Sequence, residues 1–231
     1  MGQAHEIKII ASGGLKAACL ELIPAFERAT QHRVAAVWAG SVDIMKRMQA
    51  GETFDLVVMP GTAIDELIKL GKVVAGSRVD LAKSGIGVAV RAGAPKPDIG
   101  SAEALKQALL AASSIAYSTS ASGVFLAGLF QRMGIADALR PKIRQSPPGV
   151  PVGELIARGE VEIGFQQVSE LLPIAGIDYL GPLSADIQHS TVFSAGLHIG
   201  AKEPQAAKEL IEFIKAPAAA PVIRKSGMQP A

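Results

Sequence analysis

Three times in its first eighty residues the chain passes from a short aliphatic run into an amphipathic helix. Each passage goes through a turn that sets Ser or Thr beside Gly. The runs cover residues 7–11, 34–38 and 55–59, and the turns are Ser12-Gly13-Gly14, Ala39-Gly40-Ser41 and Pro60-Gly61-Thr62. After the first turn Leu15, Ala18, Cys19 and Leu22 recur at helical spacing. After the second, Ile44, Met45 and Met48 face inward with Lys46, Arg47 and Gln49 outward, and Gly51 ends the helix. The third helix, over about 63–70, stops at Gly71. Strands that alternate with helices pair in parallel, because a parallel neighbour is reached only through a crossover. A composition of 49% hydrophobic but only 4% aromatic residues supplies the aliphatic filling such a sheet needs on both faces.

The middle of the chain repeats the alternation after a break. Residues 79–90 form an extended apolar segment that contains Gly85 and Gly87, followed by the turn Ala94-Pro95-Lys96-Pro97. Helices are expected over 101–110, 124–133 and 152–157, and strands over 114–117, near Ile143 and over 161–165. The last of these strands meets the pair Gln166-Gln167. A strand and turn over 179–183 precede a second extended run over 191–199, and helices over 204–215 and 218–225 finish the chain. We therefore expect an α/β fold of two lobes, each a mostly parallel sheet flanked by helices. Lobe one takes 1–82 plus 196–231 and lobe two 83–195, with crossing strands near 83–91 and 190–199.

Charge and composition exclude several function classes. The 23 basic and 21 acidic residues give a net charge of +2 without a block of either sign, so no nucleic-acid or polybasic membrane surface is expected. No apolar run reaches the roughly 18 residues of a membrane span. The lone cysteine, Cys19, rules out an intrachain disulfide and lies on the apolar helix face. The N-terminus, MGQAHEIK, lacks a charged-then-apolar leader. It reads as a cytoplasmic start or as a chain that begins after a removed signal. Phosphate-loop, dinucleotide, zinc-protease and nucleophile-elbow motifs are missing, and the four histidines show no ligand spacing. No metal and no cofactor are expected.

The candidate binding groups are the strand-to-helix turns themselves. The first N–H groups of a helix have no intrahelical partner, and the helix dipole favours negative charge there. Ser12 with Gly13, and Ser41, present such donors in the first lobe; Ser12 as a plain helix cap is the competing reading. In the second lobe Ser118, Ser120 and Ser122 share the turn before a helix, where ordinary turn composition also explains them. Gln166 and Gln167, at a strand end, can donate and accept, or lie in a solvated loop. In open α/β sheets ligands bind at these carboxyl ends of strands. Lys16, Lys46 and Arg47 are the nearest positive charges.

The stretches IIASGGLKAA, FERATQHRV, WAGSVDIMKRM, FDLVVMPGTAIDELIKLGKV and GELIARGEVEIGFQQVSELL resemble the type II periplasmic solute-binding proteins. Within them the chain is similar to the molybdate/tungstate-binding component of ABC transporters, along its whole length. The resemblance implies a small anion held in an interlobe cleft by neutral donors and buried by hinge closure. It implies a monomer located in the periplasm, with the cytoplasm as the alternative, and an ABC permease as partner. Its first-lobe serines fall on Ser12 and Ser41, its second-lobe small residue near Ser120 or Ser122, and its backbone donor near 150–152. The family's molybdate binders usually carry a Tyr where Gln166-Gln167 stands here. A related branch, aconitate isomerase, makes an isomerase of a small polycarboxylate the alternative function. The candidate bases for that chemistry are His189, Glu154 and Asp43.

Overall fold

The computed structural model describes residues 4–147 and 149–231; Pro148, in the Pro147-Pro148-Gly149 loop, and the first three residues lie outside it. The chain divides into two compact units, Met1–Ser84 with Val192–Ala231, and Gly85–Thr191.

In the first unit β1 (Glu6–Ala11) passes through a 3-10 turn over Gly13–Leu15 into α1 (Lys16–Thr30). Then follow β2 (Arg33–Trp38), α2 (Ser41–Gln49), β3 (Leu56–Pro60) and α3 (Gly61–Lys69). The strand β4 (Val79–Arg91) leads out of the unit. β1 is central and parallel to both neighbours, with Ala11 opposite Trp38 and Val58. The three strands therefore end together, and their Ser/Gly turns share one edge of the sheet.

Alternate residues of these strands serve opposite faces. Ile7, Ile9 and Ala11 pack with Ala18, Cys19, Leu22, Ile23 and Phe26 of α1. Ile10, Val57 and Met59 turn to the other side and meet Ile44 and Met48 of α2 and Ile64 and Leu67 of α3. Each such aliphatic side chain contributes roughly 1.5–3 kcal/mol on full burial. Cys19 is a core residue, as its helical position predicts, and burial pushes its thiol up to about 12.

The second unit runs α4 (Ala102–Ala111), β5 (Ile115–Tyr117), α5 (Ala121–Arg132), α6 (Ala136–Leu139) and β6 (Ile143–Gln145). It continues with α7 (Val152–Ala157), β7 (Ile163–Gln167), α8 (Val168–Leu171) and β8 (Ile177–Pro182). β5 lies between β6 and β7 in parallel, and β4 runs antiparallel to β7 and β8. β9 (Ser190–Leu197) returns to the first unit, where it pairs antiparallel with β3. There α9 (Pro204–Lys215) packs on the α1 side, and α10 (Ala220–Lys225) leads to β10 (Gln229–Pro230), which pairs with β4.

Two local expectations change. α3 starts at Gly61, directly after the strand. α5 starts at Ala121 rather than Val124, so Ser122 and Gly123 belong to its first turn. The close packing there requires glycine: a Cβ at Gly123 would stand 1.6 Å from the Ser118 carbonyl oxygen. Gln166 and Gln167, expected at a strand end, are the last two residues of β7, opposite Gly87 and Ile86 of β4. The short elements α6, α8 and β10 were not foreseen, since pieces this short show no periodicity.

Candidate functional site

In the first unit Ser12 sits in extended backbone between β1 and the Gly13–Leu15 turn, and its N–H donates to the Val58 carbonyl at 2.9 Å. That bond pins the turn to β3. The side chain does not cap the helix. Ser12 is 5% exposed, and its hydroxyl oxygen is shielded with no hydrogen-bond partner among the described residues. Next to it, Gly14 lies on the Phe193 ring so closely that a Cβ would come within 2.2 Å of it. Gly13 opens the turn with backbone that is free of side-chain bulk.

Ser41 is the first residue of α2, half-buried, and follows extended Gly40; no side-chain cap is made there either. The third turn is different. A Cβ on Gly61 would strike the Arg78 guanidinium at 2.4 Å and the Ser194 hydroxyl at 2.8 Å. Arg78 bonds Asp65 at 2.6 Å and Asp80 at 3.0 Å, and Ser194 donates to the same Asp80 oxygen at 2.6 Å. The Ser194 hydroxyl first, then Arg78, hold the Asp80 carboxyl below its usual value. A guanidinium thus covers this turn, and its charge is committed within the unit.

In the second unit the three serines form one chain. The Ser118 and Ser120 hydroxyls are 2.5 Å apart, Ser120 and Ser122 are 3.3 Å apart, and the Ser120 N–H lies 3.3 Å from the Ser118 oxygen. Ser122 is fully buried and Thr119 exposed. The parallel register that sets Tyr117 opposite Phe165 brings the start of this turn beside Gln166, at the same end of the sheet.

Gln166 and Gln167 are buried and already bonded. The Val152 N–H donates to the Gln166 side-chain oxygen at 2.9 Å, and the Gln167 amide donates to the Thr191 hydroxyl at 2.9 Å. The Val150 N–H goes to the Pro147 carbonyl at 3.1 Å, and Pro151 has none. The 150–152 segment, expected to supply a backbone donor, therefore has its N–H groups occupied. Ser146, buried beside it, donates to the Val150 carbonyl.

Beyond Gln166 lies a residue that the sequence reading missed. Glu170, in α8, is partly buried, and desolvation pushes its carboxyl up to about 7. Hydrogen bonds from the Gln166 side chain and the Gln167 backbone N–H act the other way. The signal in the sequence is faint: one carboxylate three residues after a glutamine pair that closes a buried strand.

The bases proposed from sequence stand elsewhere. His189 is exposed and stacks on Phe125, ring centroids 4.6 Å apart at 16°. Glu154 is exposed and 3.4 Å from Arg158, and Asp43 is exposed in the first turn of α2. Among the described residues no group of three His, Cys, Asp or Glu side chains could hold a metal ion, and no helix is long and apolar enough to cross a membrane.

Residues 7–229 match the family described as bacterial extracellular solute-binding protein. An aconitate isomerase from a Pseudomonas species is 40% identical over 230 residues, spanning 97% of this chain and 87% of the relative. The molybdate-binding protein ModA of Azotobacter vinelandii is 25% identical over 236 residues, 97% of this chain and 90% of that protein. Among solved structures, the periplasmic molybdate-binding protein of Azotobacter vinelandii superposes with a TM-score of 0.80 at 19% identity, covering 96% of this chain and 98% of that one. The sulfate-binding protein SubI of Mycobacterium tuberculosis gives 0.79 at 18% identity, covering 98% and 87%. The α/β architecture of two units is the one expected, and the chain belongs to the bacterial extracellular solute-binding protein family.

Proposed function

We propose that the protein captures a small anion with neutral donors at the starts of its helices. Ser12, Gly13 and Ser41 serve from the first unit, and Ser118, Ser120 and Ser122 with Gln166 and Gln167 from the second. The observation that carries this reading is the shielded, unpartnered hydroxyl of Ser12. A buried hydroxyl without a partner costs about 1–3 kcal/mol, which an anion oxygen accepting its hydrogen bond offsets. The helix dipoles of α1 and α2 add partial positive charge at that edge, while Arg78 is neutralised by its own aspartates. The Gln166 side-chain oxygen keeps one lone pair beyond the bond it accepts from the Val152 N–H. Family membership supports a periplasmic setting and hand-over of the guest to an ABC-type permease.

The guest is an oxyanion such as molybdate or tungstate, or a small carboxylate. Thermal unfolding against molybdate, tungstate, sulfate, citrate, tricarballylate and the two aconitates tests this. At least one anion should stabilise the protein saturably, since a ligand at a hundredfold its Kd adds about 2.7 kcal/mol. No stabilisation by any of them at millimolar concentration refutes the reading.

A second reading is favoured by one observation, the 40% identity to an aconitate isomerase over nearly the whole chain. Here the same donors hold a small tricarboxylate while its double bond moves. Proton NMR of cis-aconitate with the protein, against a heat-inactivated control, decides it by the appearance of the trans isomer.

A further inference from the structure

We propose that the first unit carries a second binding site, a cleft beside α9 that takes a carboxylate with an apolar body. The cleft encloses about 600 Å³, within the roughly 300–1,000 Å³ usual for small-molecule sites, and its lining belongs wholly to the first unit. Val79, Leu197 and Ile211 give it an aliphatic lining, and Val74 at its border is an exposed hydrophobic residue. One wall is α9. The other is the turn Val74-Ala75-Gly76-Ser77, in which the Ser77 N–H donates to the Val74 carbonyl at 3.1 Å and Gly76 has φ +77°, the type II form. The Ser77 hydroxyl donates to the same carbonyl at 2.7 Å and accepts from the Leu197 N–H at 3.0 Å, while the Val74 N–H donates to the Leu197 carbonyl at 2.9 Å. Three bonds thus fix this wall to itself and to β9, and the cleft is preformed. Leu197 pairs with Leu56, the first residue of β3, so the cleft lies toward the strand end opposite the Ser/Gly turns.

Polar groups at the rim select the head group. Lys208 and Lys215 stand two helical turns apart on the face of α9 that borders the cleft. Both are exposed, and among the described residues neither ammonium group makes an ion pair or a hydrogen bond. The Lys215 charge acts on Asp80, but that carboxylate is already bonded to Ser194 and Arg78. Glu212 is the one acid in the lining, so two positive charges face one negative, and an anionic head is favoured over a cationic one. Across from the helix, the Ala75 and Gly76 N–H groups donate to nothing among the described residues. A carboxylate, with about four lone-pair sites, suits ammonium and N–H donors together. Among the described residues the lining holds no aromatic ring, and its one hydroxyl, that of Ser77, is bonded within the turn. Apolar burial alone therefore recognises the rest of the ligand. A medium-chain fatty acid has this chemistry, one carboxylate on a flexible saturated chain.

The test is calorimetric titration of the full chain with hexanoate, octanoate and decanoate below their micelle concentrations, with octanol and octyltrimethylammonium as head-group controls. The acids should bind saturably, and each CH₂ that enters the cleft should tighten binding about fourfold. Octanol and octyltrimethylammonium should bind at least tenfold more weakly than octanoate. Lys208→Gln combined with Lys215→Gln, at exposed positions that leave the fold intact, should weaken octanoate at least tenfold and leave octanol unchanged. Ala216→Phe, which fills the cleft, should weaken every acid at least tenfold, and saturating tricarballylate should displace none of them. No saturable binding at millimolar concentration overturns the proposal, as does equal affinity for the three head groups. Lysine variants within threefold of wild type, or displacement by tricarballylate, overturn it by placing the acid elsewhere. A concentration-dependent dimer that Ala216→Phe disperses, without fatty-acid binding, assigns the cleft to a second copy of the chain and overturns it too.

Discussion

Replacing Ser12 by Ala should move stability and affinity in opposite directions, which a structural serine would not do. The hydroxyl is shielded and has no partner among the described residues, so the unliganded fold carries a desolvation cost of about 1–3 kcal/mol there. Alanine keeps the Cβ and the Ser12 N–H bond to Val58 and removes that cost. The unliganded variant should therefore be about 1 kcal/mol more stable than wild type. With an anion present the same hydroxyl donates to a charged acceptor, worth about 1.5–3 kcal/mol, so Kd should rise roughly 10–100-fold. At a ligand concentration of a hundred wild-type Kd, wild type gains about 2.7 kcal/mol and a tenfold weaker variant about 1.4. Added to its head start, the variant then unfolds near the wild-type midpoint, and a single measurement with ligand would miss both effects. Urea unfolding across a ligand titration separates them. A Ser12→Ala protein that is destabilised without ligand yet binds with unchanged affinity would refute the reasoning, because the hydroxyl would then be an ordinary structural bond.

Asp55→Ala should cost about 3–5 kcal/mol in urea unfolding, because the buried carboxylate accepts three backbone N–H groups, from Lys8 at 2.7 Å, Lys202 at 2.7 Å and Glu203 at 2.8 Å. A loss below 1 kcal/mol would show that these donors find other partners. The Glu170 carboxyl, raised from 4.5 to about 7 in the folded protein, binds more protons folded than unfolded between those values. Its contribution is therefore present below about pH 4.5 and lost as pH rises through 7. Between pH 5 and 8 wild type should lose about 2.5 kcal/mol more than Glu170→Gln. Equal losses in urea unfolding at the two pH values would place the carboxyl in ordinary solvent.

Much of the fold was legible because it is written in local periodicity. The aliphatic runs of β1, β2 and β3 and the inward faces of α1 and α2 follow from which residues recur at strand or helix spacing. The bounds of α7 and α9 were read to the residue for the same reason, each having an apolar face between a proline and a glycine or a second proline. Ser12 and Ser41 could be named as candidates because a Ser beside Gly between a strand and a helix is itself a local pattern. α5 was read three residues late, since nothing local tells that the Ser118 carbonyl packs onto Gly123.

The sequence by itself determined the α/β alternation and the buried thiol of Cys19, and it marked the strand-to-helix turns that we propose as anion donors. Only the tertiary structure decided which polar groups remain available. It committed Arg78 to Asp65 and Asp80 and covered the third turn with it. It bonded the Gln166 side-chain oxygen to the Val152 N–H, and it left the Ser12 hydroxyl without a partner among the described residues. It also raised the Glu170 carboxyl toward neutrality. The physical reason is common to all of these. Periodicity depends on neighbours a few residues apart, whereas desolvation and hydrogen-bond satisfaction are set by groups that come from distant parts of the chain and meet only on folding.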